Sequence, residues 1–291
     1  MSRVPRRGSS RRRARGGARP LAPAQSGKRA PPRPSAISAD IFESSRPAQP
    51  EAPPFTLVTV TNTPAVDLLE RPLYGLAQVD RLLGLSSGTA RRWLEGYKRR
   101  GKRYPPVARA EPTGSEVVTW GEFVETRLLA EYRDAGASIM LMRPAVERLR
   151  EKFDTRYPLA YARPYLDVAG RELVWQVQDD VNLDRELQLV VVRNDQIVLT
   201  EPAERFTRSA VFRPGDQVVE RIRPHFEIEQ VVIDPLRQFG EPVVRSVRTE
   251  IISEQVRAGE PLDTIAELYE LPRADVEAAL RYELIRSGVA A

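Results

Sequence analysis

Leu73-Tyr-Gly-Leu-Ala-Gln-Val-Asp-Arg-Leu-Leu-Gly-Leu-Ser-Ser-Gly-Thr-Ala-Arg-Arg-Trp-Leu94 is the stretch on which the reading of this 291-residue chain turns. Its apolar residues recur at helical spacing, first Leu76, Val79, Leu82 and Leu83, then Leu85, Ala90, Trp93 and Leu94. Gly84 stands where a left-handed residue closes a helix, and Ser86 or Ser87 can cap the next one. The pattern predicts a helix-turn-helix, with Ala77, Val79, Leu82, Leu85, Ala90 and Leu94 filling the crossing. The second helix then offers Ser87, Thr89, Arg91 and Arg92 to the major groove of double-stranded DNA. Arginine suits that task because its planar fork donates two parallel hydrogen bonds to a guanine edge.

Outward from this core the sequence turns basic. Arg91, Arg92, Lys98, Arg99, Arg100, Lys102 and Arg103 are interrupted by a single acid, Glu95. Lys98, Arg99, Arg100, Lys102 and Arg103 are therefore added as candidate phosphate contacts. Arg99–Pro106 reads as a loop ending in a Pro-Pro stop, Val117–Trp120 as a short strand, and Gly121–Arg133 and Pro144–Phe153 as helices. A basic loop and strand after two helices point to a winged arrangement on DNA. The competing reading is a solvated loop on an ordinary three-helix packing.

Further along, the period changes. Leu173–Val177, Leu187–Val192, Gln196–Leu199 and Val218–Ile222 read as short strands, with turns at Asn194-Asp195 and Pro214-Gly215-Asp216. Helical spacing returns over Ile251–Ala258, Leu262–Tyr269 and Ala274–Arg286. The last of these carries Arg273, Asp275, Glu277, Arg281, Glu283 and Arg286 in mixed sign, which suits dimerisation or partner docking better than a polyanion. The fold class is α+β in four parts: a disordered basic tail and linker over 1–72, a DNA-binding domain over 73–155, a small antiparallel β-rich middle over 156–230, and a helical module over 231–291.

Composition narrows the chemistry. The net charge of +5 hides an asymmetry, because residues 1–39 hold eleven cations and no acid. The remainder has 34 basic against 40 acidic residues, a net charge of −6. Ten prolines fall within residues 1–54, and a segment so poor in large apolar side chains is expected to stay disordered. It reads as a non-specific phosphate-attracting arm, a transit peptide or a misplaced start. With no cysteine, disulfides, thiolate catalysis and zinc-thiolate sites are excluded, and a single histidine, His225, argues against most metalloenzyme and Ser-His-Asp readings. Asp179, Asp180 and Asp184, like Glu227, Glu229 and Asp234, read as solvated turn acids rather than metal ligands, and Trp93, Trp120 and Trp175 as packing residues. No apolar run reaches the roughly 20 residues of a membrane span. The expectation is a cytoplasmic protein that is not an enzyme and has no cofactor.

Two family resemblances refine this reading. Leu76-x-x-Val79-x-x-Leu82-Leu83-Gly84-Leu85-Ser86-x-x-Thr89-x-Arg91-Arg92-Trp93 resembles the MerR-like winged helix-turn-helix. That likeness implies Ser87–Trp93 in the major groove and a wing over Arg99–Thr119. Val232-Ile233-Asp234-Pro235, Phe239–Val244, Ile265–Tyr269 and Val276–Tyr282 resemble a small domain of unknown function common in antitoxin-like proteins. Arg245-Ser246-Val247-Arg248-Thr249 stands where that family has a glycine turn. Together the modules are similar to the atypical VapB-type antitoxins. The resemblance implies a homodimer that binds its own promoter and neutralises a PIN-like ribonuclease toxin. A stand-alone transcription regulator and a protein-interaction module that does not bind DNA are the alternatives.

Overall fold

The computed structural model describes residues 68–288, so the expectations for the basic tail lie outside the described residues. Helices and short antiparallel strands alternate, as expected for an α+β chain. The first strand, β1 (Pro72–Gly75), leads directly into α1 (Leu76–Leu82), and a turn leads to α2 (Thr89–Glu95). Then come β2 (Tyr97–Arg99), β3 (Lys102–Tyr104) and β4 (Val117–Thr119), with β4 antiparallel to β1.

The centre of the molecule is α3 (Trp120–Asp134). It opens on a capping box in which the Thr119 hydroxyl accepts from the Glu122 amide at 3.3 Å and the Glu122 carboxylate accepts from the Thr119 amide at 3.0 Å. Phe123, Val124, Leu128, Leu129, Ala130 and Tyr132 are all buried, the mark of a helix wrapped by protein rather than lying on its surface. Around it lie α4 (Arg143–Phe153), the single turn α5 (Arg163–Leu166), α6 (Val168–Asp180) and α7 (Glu201–Ser209). The hairpin of β5 (Val190–Arg193) and β6 (Gln196–Leu199) packs beside α6 and turns at Asn194-Asp195, both left-handed, as the sequence predicts.

Two expectations for the middle fail. Leu173–Val177 is the heart of α6, not a strand. Its alternating Leu173, Trp175 and Val177 suggested period 2, but the buried residues are Gly170, Val174, Val177 and Gln178, at helical spacing. The Asp167 carboxylate caps the helix by accepting from the Ala169 amide at 3.3 Å. Gly170 is required there, since a Cβ would lie 2.0 Å from the Arg163 carbonyl oxygen. Trp175, expected to pack inside, stays 40% exposed.

After β7 (Ala210–Phe212) and β8 (Val219–Ile222) come β9 (Val231–Ile233), β10 (Pro242–Val244) and β11 (Val247–Arg248). These five form one antiparallel sheet in the order β11-β10-β9-β8-β7, joined across positions 230–231 by Ile222 opposite Ile233. Over it pack α8 (Thr249–Arg257), α9 (Leu262–Leu268) and α10 (Arg273–Arg286), within two residues of the expected ranges. The β10–β11 turn holds Arg245 at φ 55°, a backbone region that favours glycine. The strained arginine is anchored by its ion pair with Asp275 at 2.9 Å and by Arg237, which donates to its carbonyl at 2.9 Å.

Two apolar clusters result. The larger runs from Leu68 to Ile233; the smaller gathers Ile228, Val231, Val244, Ile252, Ile265, Val276 and Tyr282. At their junction Glu241 accepts from Gln78 and Arg81 of α1, and the Tyr74 hydroxyl donates to the Gly240 carbonyl at 2.9 Å. No described helix is long and apolar enough to cross a membrane.

Candidate nucleic-acid interface

The start of α2 is fixed by a residue from the preceding helix. Gly88 enters it at φ 77°, and neither Ser86 nor Ser87 caps it as expected. Instead the buried Asp80 carboxylate of α1 accepts from the amides of Gly88 and Ala90, each at 2.7 Å. One carboxylate thus serves the orphan donors of α2 and locks the two helices together.

Where α2 ends, Gly96 turns the chain at φ 71°; a Cβ there would lie 2.4 Å from the Tyr104 carbonyl oxygen. The chain then doubles back. The segment expected as a loop is the β2–β3 hairpin, with Arg100 and Gly101 both left-handed in a two-residue turn. Tyr97 and Tyr104 stack at its root, ring centroids 4.6 Å apart and 7° from parallel, and the Lys102 ammonium lies 5.3 Å from the Tyr104 ring centre.

The register of this hairpin sets Lys98 opposite Arg103 and Arg99 opposite Lys102. Like charges directly opposed across strands destabilise a sheet. Among the described residues none of Lys98, Arg99, Arg100, Lys102 and Arg103 makes an ion pair, and all five are exposed. Arg91 and Arg92 are exposed on α2 next to it. Arg91 pairs with Glu116, and Arg92 donates to the Thr89 hydroxyl at 2.7 Å. Ser87 is exposed in the turn before α2. Thr89 departs from the expectation: it is buried, and its hydroxyl positions Arg92 rather than facing outward.

Sequence reading missed Arg109. Its guanidinium, with 3% of the side chain exposed, donates to both Glu122 oxygens at 2.8 and 3.0 Å. It also bonds Thr113 at 2.7 Å and the carbonyl of Val117 at 2.7 Å, and it pairs with Glu95 at the end of α2. The segment following the hairpin is thereby pinned to α2 and α3. Burial acts to raise the Glu95 carboxyl, but hydrogen bonds from Gly114 and Thr113 and the charge of Arg109 outweigh it and hold the group below its ordinary range. The only signal in the sequence was one arginine in the apolar run Val107-Ala108-Arg109-Ala110.

Elsewhere, among the described residues no group of three or more histidines and carboxylates could hold a metal ion. Asp234 is buried and accepts from the Leu236 amide at 2.9 Å, as a turn acid does. His225 follows β8 and stacks on Phe226.

Residues 231–282 match the family described as "Protein of unknown function (DUF433)". Over 222 residues the chain is 38% identical to "Uncharacterized protein Rv2308" of Mycobacterium tuberculosis, covering 74% of this chain and 91% of that one. Over 217 residues it is 30% identical to "Putative antitoxin VapB45" of the same organism, covering 68% and 88%. The crystal structure of Rv2018, also from Mycobacterium tuberculosis, superposes with a TM-score of 0.59 at 27% identity, over 72% of this chain and 97% of that one.

Proposed function

We propose, from the premise that this chain belongs to the family of Rv2308 and VapB45, that it is an antitoxin that binds its own promoter and neutralises a PIN-like ribonuclease toxin. In this reading α1 and α2 form a MerR-like helix-turn-helix, the β2–β3 hairpin is its wing, and two copies read two half-sites. The observation that carries the DNA-binding half is the hairpin itself. Two cation pairs face each other with no acid between them, an arrangement that costs the free protein stability and that a polyphosphate neutralises. Arg91 and Arg92 supply the groove contacts. The exposed Arg91–Glu116 pair is worth little in water and opens readily to a stronger acceptor. The antitoxin half is supported by the name that VapB45 carries over an alignment spanning most of both chains. The hairpin favours this reading over an interaction module that does not bind DNA.

The test takes the full chain, its promoter DNA and the ribonuclease that this reading places in the adjacent gene. Arg91→Ala with Arg92→Ala is expected to abolish promoter binding in fluorescence anisotropy while inhibition of the ribonuclease is retained. Equal promoter affinity in variant and parent overturns the assignment of α2. Undiminished RNA cleavage with the parent protein in excess overturns the toxin assignment.

A further inference from the structure

The two edges of the β5–β6 hairpin are treated differently. Its closing turn and the Thr200 amide donating to the Leu189 carbonyl at 2.9 Å fix which residues exchange backbone bonds: Arg193 with Gln196, Val191 with Val198. Val190 on β5 and Ile197 and Leu199 on β6 therefore turn their backbone groups outward. On the β5 side the buried Gln178 side chain meets them as a strand would. Its amide donates to the Val190 carbonyl at 2.9 Å, and its oxygen accepts from the amides of Leu189 and Val190 at 2.6 and 3.2 Å. On the β6 side the strand Gln196-Ile-Val-Leu199 carries no lysine, proline or bulge, the usual guards of an open edge. It borders a groove of about 770 Å³ lined by Val168, Arg171, Glu172, Asp195 and Glu204.

The charge of that groove selects the occupant. Glu172, Asp195 and Glu204 are exposed, and none is ion-paired among the described residues; they stand against one guanidinium, Arg171. A second copy would bring the same carboxylates to the same groove and double its negative charge. We propose that the outer edge of β6 receives an extended segment of the toxin, added as an antiparallel strand, in which apolar residues alternate with lysine or arginine. Backbone bonds to Ile197 and Leu199 give it register, and Glu172 and Glu204 select its cations. This deepens the toxin-partner reading and rests on it.

The experiment measures binding of the full chain to the adjacent-gene ribonuclease by calorimetry. Glu172→Lys with Glu204→Lys is expected to weaken binding at least tenfold. Ile197→Pro, which deletes an outward donor and leaves the bonds to β5, is expected to do the same. Promoter affinity and the far-ultraviolet spectrum should not change. If the parent binds the ribonuclease and the charge-reversed variant binds it within twofold, the groove assignment falls while the toxin reading stands. If the parent does not bind the ribonuclease, the toxin reading falls, and a synthetic (Lys-Val)4 peptide decides the groove against its (Glu-Val)4 counterpart. Tenfold preference for the lysine peptide, lost in both variants, supports the edge; equal binding of the two peptides, or binding indifferent to both variants, overturns it. Dimerisation that disappears in Ile197→Pro would also overturn it, in favour of a second copy.

Discussion

The first helical unit and the last one are charged differently. In α8–α10 and the strands beneath them, four cations are paired with acids: Arg273 with Asp263 and Glu277, Arg245 with Asp275, Arg286 with Glu283 and Arg237 with Asp234, while Arg248, Arg257 and Arg281 make no ion pair among the described residues. In the β2–β3 hairpin, cations face cations. The difference teaches that most of the mixed-sign charges of α10 are used within the fold, whereas the five cations of the hairpin make no ion pair among the described residues.

The strongest way to break this contrast is to strip the hairpin. Lys98→Thr, Arg99→Thr, Lys102→Thr and Arg103→Thr together should lower promoter affinity about a thousandfold near 0.15 M salt and flatten the log–log salt slope by roughly 3.6, some 0.9 for each phosphate no longer neutralised. Removal of the two opposed cation pairs should leave the thermal midpoint unchanged or raise it. Arg273→Ala with Arg281→Ala should leave promoter affinity within twofold. A variant hairpin that kept its affinity and salt slope would mean that the cations serve no polyanion.

The converse experiment attacks the paired unit. Glu283 is buried, receives two bonds from Arg286 at 2.9 and 2.6 Å, and accepts from the Thr249 hydroxyl at 2.5 Å. Glu283→Ala leaves the Arg286 guanidinium without its carboxylate and the Thr249 hydroxyl with only the Pro242 carbonyl at 3.4 Å, and should cost about 3 kcal/mol in urea unfolding. Promoter affinity, measured well below the new midpoint, should hold. A cost under about 1 kcal/mol would show that this carboxylate is not what secures the helices.

How much of the contrast could be read in advance depends on the kind of signal. The helices α1 to α4 and α8 to α10 were legible because Leu76/Val79/Leu82 or Val276/Ala279/Tyr282 repeat at the helical period, and a glycine or proline sits near the ends. The hairpin was not. Its strands hold cations where apolar alternation would announce them, and its turn is Arg-Gly rather than Asn-Gly. Five of its residues were still named as candidates, since charge density needs no knowledge of the backbone. The Asp80 cap, the inward Thr89 and the Arg109 hub were invisible because each depends on a partner across a turn or further along the chain. In α7, Pro202 near the start and the spacing of Ala203 and Phe206 were signals that went unread.

A pH titration separates the two units again. Burial pushes Glu125 of α3 from 4.5 up to about 7; Arg150, 3.5 Å away, and the Leu159 amide offset this only in part. Because the folded value exceeds the unfolded one, the contribution to stability is whole below the unfolded value and is lost as pH rises through about 7. Unfolding free energy should fall by at most about 3 kcal/mol between pH 5 and pH 8, at roughly 1.4 kcal/mol per pH unit. Glu125→Gln should flatten that decline. A parent protein equally stable at both pH values would place the carboxylate in a wetter or better-paired setting.

The smallest effect is the most local. The β10–β11 hairpin sits in a five-stranded sheet with Val243 and Val244 buried, whereas β2–β3 is a two-stranded ribbon whose root is a single pair of stacked rings. An isolated hairpin is marginal in water, and an aromatic pair adds about 0.5–1.5 kcal/mol beyond its buried area. Tyr97→Thr should therefore abolish amide exchange protection across Tyr97–Tyr104 while lowering global stability by only about 1 kcal/mol. Promoter affinity should drop several-fold, because the hairpin must then be ordered at the moment of binding. Threonine keeps the β propensity, so the loss reports the ring and not the strand. If exchange protection survived, or if the global cost matched that of Glu283→Ala, the ribbon would belong to the core, and its opposed cations would be a burden carried for structure rather than for a partner.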